Sequence, residues 1–332
     1  MPDVVDWKSL QPQFQDGLLL GNGASIAVHA GFGYADLYEK SQELGYITPA
    51  VQGIFASFGT TDFELVLLRL WQAKLVNEAL RIPPGRVEQA YNEVRTALIA
   101  TVRATHVTYE EATPHLIEIY RFMHQFKTVA SLNYDLIVYW AALVGNDNLG
   151  RWFKDAFNGG TFHEDWKSLR RPYRANGTTL FFYPHGNLVL SLTSTYSEEK
   201  ISRGDPTNLL EAILEQWKTG TRTPIFVCEG TADNKKKSIE RSSYLRTINR
   251  EVLPHMGESL AIYGWSLAEQ DEHIIKQVLS ASLQRIAVSV HNNDMAFAKR
   301  TEEMITRYRR IPISFFHASS SGCWNNPVEQ EG

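Results

Sequence analysis

The sequence predicts an α/β fold: a mostly parallel sheet with helices on both faces. Three observations carry this. Short continuous apolar runs recur at residues 18–20, 128–132, 179–183, 224–228, 260–263 and 286–290. Unbroken apolar runs, rather than alternating ones, are what strands buried on both faces look like. In the last third of the chain each run is followed by sequence that reads as helix, the order of a strand-and-crossover fold. Polar residues gather where the runs end: Asn22, Asn133, Asp135, His185, Ser266 and Asn292. In such sheets ligands bind outside the carboxyl ends of the strands.

The first run enters Gly21-Asn22-Gly23-Ala24-Ser25, and a helix is expected to start near Ser25. A Gly-x-Gly turn lets backbone approach a phosphate, and the following helix points free N–H groups at it. A plain strand-to-helix turn explains the same residues. Residues 36–126 hold no convincing strand and read as a helical insertion. Thr61 and Glu64 form a capping-box pattern before an apolar helix, and Pro83-Pro84-Gly85 breaks the chain. A second helix is expected over 87–102, and Thr113-Pro114 is expected to start a third over 115–126. The faces around Leu67–Leu70 and Leu98–Val102 suit either core packing or self-association.

The next strand, 128–132, runs into Asn133-Tyr134-Asp135 and a helix from about Leu136. Residues 146–176 read as loop. The run 179–183 ends at Pro184-His185-Gly186, and 188–192 continues as strand. The run 224–228 reaches Glu229-Gly230, with helix over 238–252. Later strands reach Gly264-Trp265-Ser266 and His291-Asn292-Asn293, with helices over 269–280 and 294–308. Residues 313–316 close the sheet, and the polar tail from 318 is expected to be poorly ordered.

Composition limits the function. The chain has 332 residues, read as one domain, with 43% hydrophobic and 21% charged residues. Its net charge of -4, from 33 basic and 37 acidic side chains, argues against wholesale nucleic-acid or membrane binding. Cys228 and Cys323 are too few for a disulfide framework or a four-thiolate zinc site. The amino terminus lacks a signal-peptide pattern, and the longest apolar run, 136–144, is too short to span a bilayer. A soluble cytoplasmic protein is expected.

Several residues have bland readings. Asn133 and Asp135 suit a helix cap. His185 suits a turn. Ser266 suits an N-cap, and Asn293 and Asp294 compete with Asn292 for that role. His273, between Glu272 and Ile274, reads as solvated surface. The basic groups Lys167, Arg170, Arg171, Arg174 and Lys235-Lys236-Lys237 read as solvated loop, or as partners for a phosphate. Neither a phosphate-loop ATPase motif nor an esterase elbow is present.

In order, the strand-end motifs are Gly21-Asn22-Gly23-Ala24-Ser25, Asn133-Tyr134-Asp135, His185-Gly186, Gly264-Trp265-Ser266 and Asn292. This series resembles the sirtuin superfamily, in its bacterial sirtuin-like branch, over roughly residues 17–295. The helical stretch 36–126 has no counterpart there. The resemblance implies a Rossmann-like sheet holding NAD. It implies that Gly21, Asn22, Gly23 and Ser25 cradle the diphosphate, and that Asn133 and Asp135 sit by the nicotinamide ribose. His185, with Gly186, would face the ribose hydroxyls. Gly264 and Ser266 would touch phosphate or ribose, and Asn292 the adenosine side. The chain departs from the protein deacylases: their four zinc cysteines are absent, Asn22 replaces a small Ala, and Gly31 to Asp36 replaces an arginine-containing loop. Zinc-less members with added helices are associated with antiviral defence.

The expected activity is therefore cleavage of the nicotinamide–ribose bond of NAD, with Asn133, His185 and Asp135 as catalytic residues and no metal. Asn133 would orient water or ribose. His185 would accept a proton near neutral pH, since a free imidazole titrates at about 6.5. A homo-oligomer and a defence-system partner protein are expected. The rival expectations are a non-catalytic NAD or ADP-ribose sensor and a protein ADP-ribosyltransferase.

Overall fold

The computed structural model describes residues 3–33, 36–193, 195, 197–202, 205–226, 232–279 and 282–328. The chain opens with β1 (Val4–Val5), α1 (Trp7–Leu10), β2 (Gly17–Leu20) and α2 (Asn22–Ile26). Five helices follow: α3 (Leu37–Glu43), α4 (Pro49–Phe58), α5 (Phe63–Ala79), α6 (Gly85–Thr105) and α7 (Tyr109–Met123). The middle holds β3 (Thr128–Ser131), α8 (Ile137–Leu149), β4 (Phe153–Lys154), β5 (Phe157–Asn158), β6 (Thr161–Phe162) and β7 (Thr179–Phe182). Then come β8 (Gly186–Thr193), β9 (Glu198–Lys200), α9 (Leu209–Lys218), β10 (Arg222–Phe226), α10 (Ala232–Arg241) and α11 (Ser243–Thr247). The chain ends with β11 (Ser259–Tyr263), α12 (Glu272–Leu279), β12 (Arg285–Val290), α13 (Met295–Tyr308) and β13 (Ile313–His317).

Eight strands form one sheet in the order β1-β13-β12-β11-β2-β3-β7-β4, and every pairing in it is parallel. Alternate side chains leave opposite faces. Leu18, Leu20, Val129, Ala261 and Phe316 join one apolar core with α5 to α9. Leu19, Ala130, Ile262, Val288 and Phe315 join a second core with α12 and α13. Both faces are thus covered, which is why the strands read as continuous apolar runs. The sequence's fold class is the observed one. Helices α3 to α7 connect the neighbouring strands β2 and β3, and they pack into the first core. Leu67, Leu70, Leu98 and Val102 are buried there, so those faces are core and not available for self-association.

Other expectations are corrected. α2 starts at Asn22 and ends at Ile26, with Gly21 as its N-cap, rather than starting near Ser25. Asp62, not Thr61, caps α5 by accepting from Leu65 N at 2.9 Å; Thr61 bonds Asp36 instead. α7 starts at Tyr109 because Thr108 and Glu111 make a full capping box, which leaves Pro114 inside the helix. The expected helix over 238–252 is interrupted where Ser242 caps α11. The expected loop 146–176 contains the end of α8 and strands β4 to β6.

The described part of the run at 224–228, through Phe226, is not a parallel strand. β10 pairs antiparallel with β8 in a second sheet ordered β10-β8-β9-β6-β5. There it packs against α5 and α9, with Thr223, Pro224 and Phe226 buried, so its apolar run resembles that of a parallel strand. Cys228, Glu229 and Gly230 lie outside the described residues. The tail is also ordered through Val328: Cys323 and Trp324 are buried, and Trp324 Nε1 donates to Ala24 O at 2.8 Å. No helix among the described residues is long and apolar enough to cross a membrane.

Candidate functional site

A cleft of about 310 Å3 opens at the carboxyl ends of β2, β3, β7 and β11. Its walls include Asn22, Asn133, Asp135, His185 and Ser266, drawn from every strand-end motif except the last. Grooves of about 610 and 700 Å3 lie elsewhere, against α5 and α6, but neither collects these residues. Volume alone does not select a site, whereas convergent polar groups at strand ends do.

Gly21 and Gly23 are explained by contact between two strand ends. Gly23 N donates to Gly264 O at 2.6 Å, and Gly21 N to Tyr263 O at 3.0 Å. A Cβ on Gly21 would stand 2.4 Å from Trp265 Cα, and one on Gly23 would stand 2.8 Å from Gly264 Cα. The glycines let the β2 and β11 turns touch, and their N–H groups are already used. Gly21 lines the cleft; Gly23, Gly264 and Ser25 stand behind its wall. Asn22 faces the cleft, its Nδ2 donating to Phe32 O at 3.1 Å.

Ser25 is buried and links the two residues of the second motif. Asn133 Nδ2 donates to Ser25 Oγ at 2.7 Å and to Gly21 O at 2.9 Å. Ser25 Oγ in turn donates to Asp135 Oδ2. A carbonyl must be met by a donor, so the Gly21 contact fixes which way the Asn133 amide faces. Both its amide hydrogens are taken, and Oδ1 is left as an acceptor. Asp135 is buried and fully engaged, with Oδ1 accepting from Ile137 N at 2.9 Å. Burial pushes its carboxyl up, against the hydrogen bonds from Ser25 and Ile137 that favour the anion.

The turn is pinned from below as well. Leu136 N donates to His106 Nε2 at 3.0 Å, which places the His106 proton on Nδ1, 2.7 Å from Val107 O. Asn187 Nδ2 donates to Asp135 O at 2.5 Å. The ring of Tyr134 stacks on Phe226, with centroids 5.2 Å apart. Its buried hydroxyl has no hydrogen-bond partner among the described residues.

His185 heads a cluster on the opposite wall. Its Nε2 lies 3.0 Å from His273 Nε2 and 4.0 Å from Asp271 Oδ1. Lys235 Nζ donates to Asp271 Oδ1 at 2.7 Å, and Trp265 Nε1 to Oδ2 at 3.3 Å. His273 is 6% exposed and Lys235 is 5% exposed, so neither is the solvated surface residue that its neighbours in sequence suggest. Burial pulls His185 down to about 3, so the ring is neutral near pH 7 and a weaker base than an ordinary imidazole. Burial also pulls His273 down to about 4. Burial alone would raise Asp271, but neighbouring His185 and Lys235 outweigh it and hold the carboxyl below the usual range.

Two further expected residues, Gly186 and Asn292, also stay outside the cleft walls. Gly186 has φ 78°, and a Cβ there would stand 2.2 Å from Ile225 O, so it serves the close β8–β10 pairing. Asn292 is exposed after β12, with φ 47°. Asp271, His273 and His106 are not singled out by the sequence as site residues, and Lys235 only within a basic run read as solvated loop or as a partner for a phosphate. The hint was the Asp271-x-His273 spacing at the start of a helix.

The fold and cleft define an α/β protein with a parallel, Rossmann-like sheet and a ligand-sized cleft at its strand ends. The chain belongs to the family described as "Domain of unknown function (DUF4917)", whose model matches residues 18–324, from β2 to Trp324. No curated protein matches the chain.

Proposed function

We propose that the cleft binds NAD and hydrolyses its nicotinamide–ribose bond. The carrying observation is the Asn133 amide, whose two hydrogens are held by Gly21 O and Ser25 Oγ. Its Oδ1 is thereby preset as an acceptor on the cleft wall, at no reorganisation cost when charge develops. Breaking the N1–C1′ bond returns the electron pair to nicotinamide and leaves oxocarbenium character on the ribose. A fixed carbonyl dipole stabilises that charge or holds the attacking water. The water oxygen bonds C1′, and its proton passes to solvent. Asp135 is a positioning residue in this scheme, acting through Ser25. His185 shapes the wall opposite. The order of strand-end motifs, with its sirtuin-like resemblance, supports NAD as the ligand, and NAD depletion in antiviral defence as the setting.

A second reading has its own observation. His185 is a weak base in its buried setting, and both Asp135 oxygens already accept hydrogen bonds, which suits a sensor that binds NAD or ADP-ribose without turnover. Purified protein is incubated with NAD, and nicotinamide is quantified for wild type, Asn133→Ala and His185→Ala, with calorimetric NAD binding in parallel. Turnover lost in Asn133→Ala supports the hydrolase. Binding without turnover supports the sensor. Absence of both overturns the assignment of NAD to this cleft. Self-association and a partner protein belong to the same proposal; Val76, Leu80 and Ile82, exposed around the α5–α6 turn, are side chains such a contact would cover.

A further inference from the structure

We propose that His185, His273 and Asp271 form a binding site for a divalent transition-metal ion of the zinc type. They are the one group of three or more His, Cys, Asp or Glu among the described residues able to hold a metal, with donor atoms all within 4.8 Å of one another. The proposal does not rest on NAD being the ligand.

Geometry carries the argument. The two Nε2 atoms stand 3.0 Å apart. Two imidazole nitrogens on a tetrahedral ion, each at about 2.0–2.1 Å, are separated by roughly 3.3 Å. The pair is therefore already near a metal's bite, and Asp271 Oδ1, 4.0 Å from His185 Nε2, closes on the same point by a side-chain rotation. Two nitrogen lone pairs do not face each other at 3.0 Å without a proton or a cation between them. His273 Nδ1 is buried with no hydrogen-bond partner among the described residues; a metal on Nε2 leaves the ring proton on Nδ1, the usual state of a ligating histidine. His185 also hydrogen-bonds the Leu132 backbone, the kind of outer contact that fixes a ligating ring's tautomer and leaves Nε2 as the lone pair.

The supports are placed accordingly. Trp265 Nε1 holds Asp271 Oδ2, leaving Oδ1 toward the histidines. His185 comes from the β7–β8 turn, while Asp271 and His273 flank the start of α12, so the ligands are fixed on two separate elements. Two imidazoles and a carboxylate are the ligand set of open zinc sites and of two-histidine facial sites for other divalent metals. Three protein ligands leave a coordination position for water or for a molecule in the cleft.

Lys235 is the built-in competitor. Its ammonium, 2.7 Å from Asp271 Oδ1, neutralises the carboxylate when no metal is bound. A divalent ion on the same oxygen repels it, so Lys235 and the metal exclude one another.

The test is metal binding rather than turnover. Chelator-stripped full-length protein is titrated with Zn2+, and bound metal per chain is measured after equilibrium dialysis; Co2+ replaces Zn2+ for visible absorption. One ion per chain, with Co2+ bands of a nitrogen and oxygen ligand set, is the expected result. His273→Ala weakens binding by about 100-fold or more, and Lys235→Met tightens it roughly 10-fold. Lys235→Met keeps all three ligands, so it decides the matter even if His273→Ala fails to fold. Absence of saturable one-to-one binding, or affinity unchanged in Lys235→Met, overturns the proposal. Loss of NAD binding with metal binding intact overturns only the NAD reading.

Discussion

Asn133 Nδ2 meets Ser25 Oγ at 2.7 Å across 108 positions of sequence. The contact joins the first and second strand-end motifs, and Ser25 passes it on to Asp135. An α2 residue thus sets the angle of the amide that the cleft presents.

Removing that hydroxyl is expected to cost more than one hydrogen bond. Ser25→Ala leaves the Asn133 amide short of an acceptor and buried Asp135 short of a donor, a loss of about 1–3 kcal/mol. Urea denaturation measures it. Asn133→Ala and Ser25→Ala share the bond, so the double variant is expected to be non-additive by about 0.5–3 kcal/mol. Additive losses would mean that the two residues act separately.

Gly21→Ala is expected to destabilise the fold by about 1–3 kcal/mol, because the obstacle is backbone and cannot rotate aside. The added Cβ would stand 2.4 Å from Trp265 Cα. Gly53→Ala is the control: a Cβ there would meet nothing within 4 Å beyond its own stretch of helix, and Ala favours the helix interior. Thermal melts compare the two.

His106 predicts an acid weakness. Its pKa is about 6.5 in an unfolded chain and is pulled down to about 4 by burial. A depressed pKa means that protons prefer the unfolded chain. The stability it contributes is complete above pH 6.5 and drains away as the pH falls toward 4, by about 3 kcal/mol at the lower end. His106→Gln keeps an acceptor for Leu136 N and removes the titration. Urea midpoints from pH 7 to pH 4 should fall less steeply in the variant; parallel curves would contradict the assignment.

Trp324→Ala is expected to cost about 3–5 kcal/mol, the range for truncating a buried aromatic. The ring is 1% exposed, and its indole holds Ala24 O. The change also loosens α2, which carries Ser25, so NAD affinity at the proposed cleft should fall with stability. Denaturation and ligand titration on the same preparation test both.

The strands and the cleft were legible in the sequence for one physical reason. A parallel strand buried on both faces must be apolar until it ends, so polar residues such as Asn133 and His185 mark the sheet's edge. The cluster around His185 was not legible. Lys235 and His273 sit among charged neighbours, and burial against partners 36 and 88 positions away, Asp271 for Lys235 and His185 for His273, leaves no local pattern. β10 misled because a buried antiparallel strand has the same apolar run as a parallel one. Pro114 misled because a capping box a few residues earlier outweighs the proline's missing donor. Trp324 was hidden in a polar tail whose amides bond back to the core.

β1 and β13 lie side by side, Val4 against Phe315 and Val5 against Phe316, and Trp7 N donates to Ser320 Oγ at 3.0 Å. In a chain made from the amino terminus, the first strand emerges roughly 300 residues before its partner, a wait of about 15–60 s at ribosomal speed. β2 must likewise hold its place between β3 and the still unmade β11. The β1–β13 pairing therefore cannot belong to an early nucleus formed during synthesis. Folding is expected to be slow and late, with early apolar edges exposed to chaperones while the ribosome finishes the other half of the sheet.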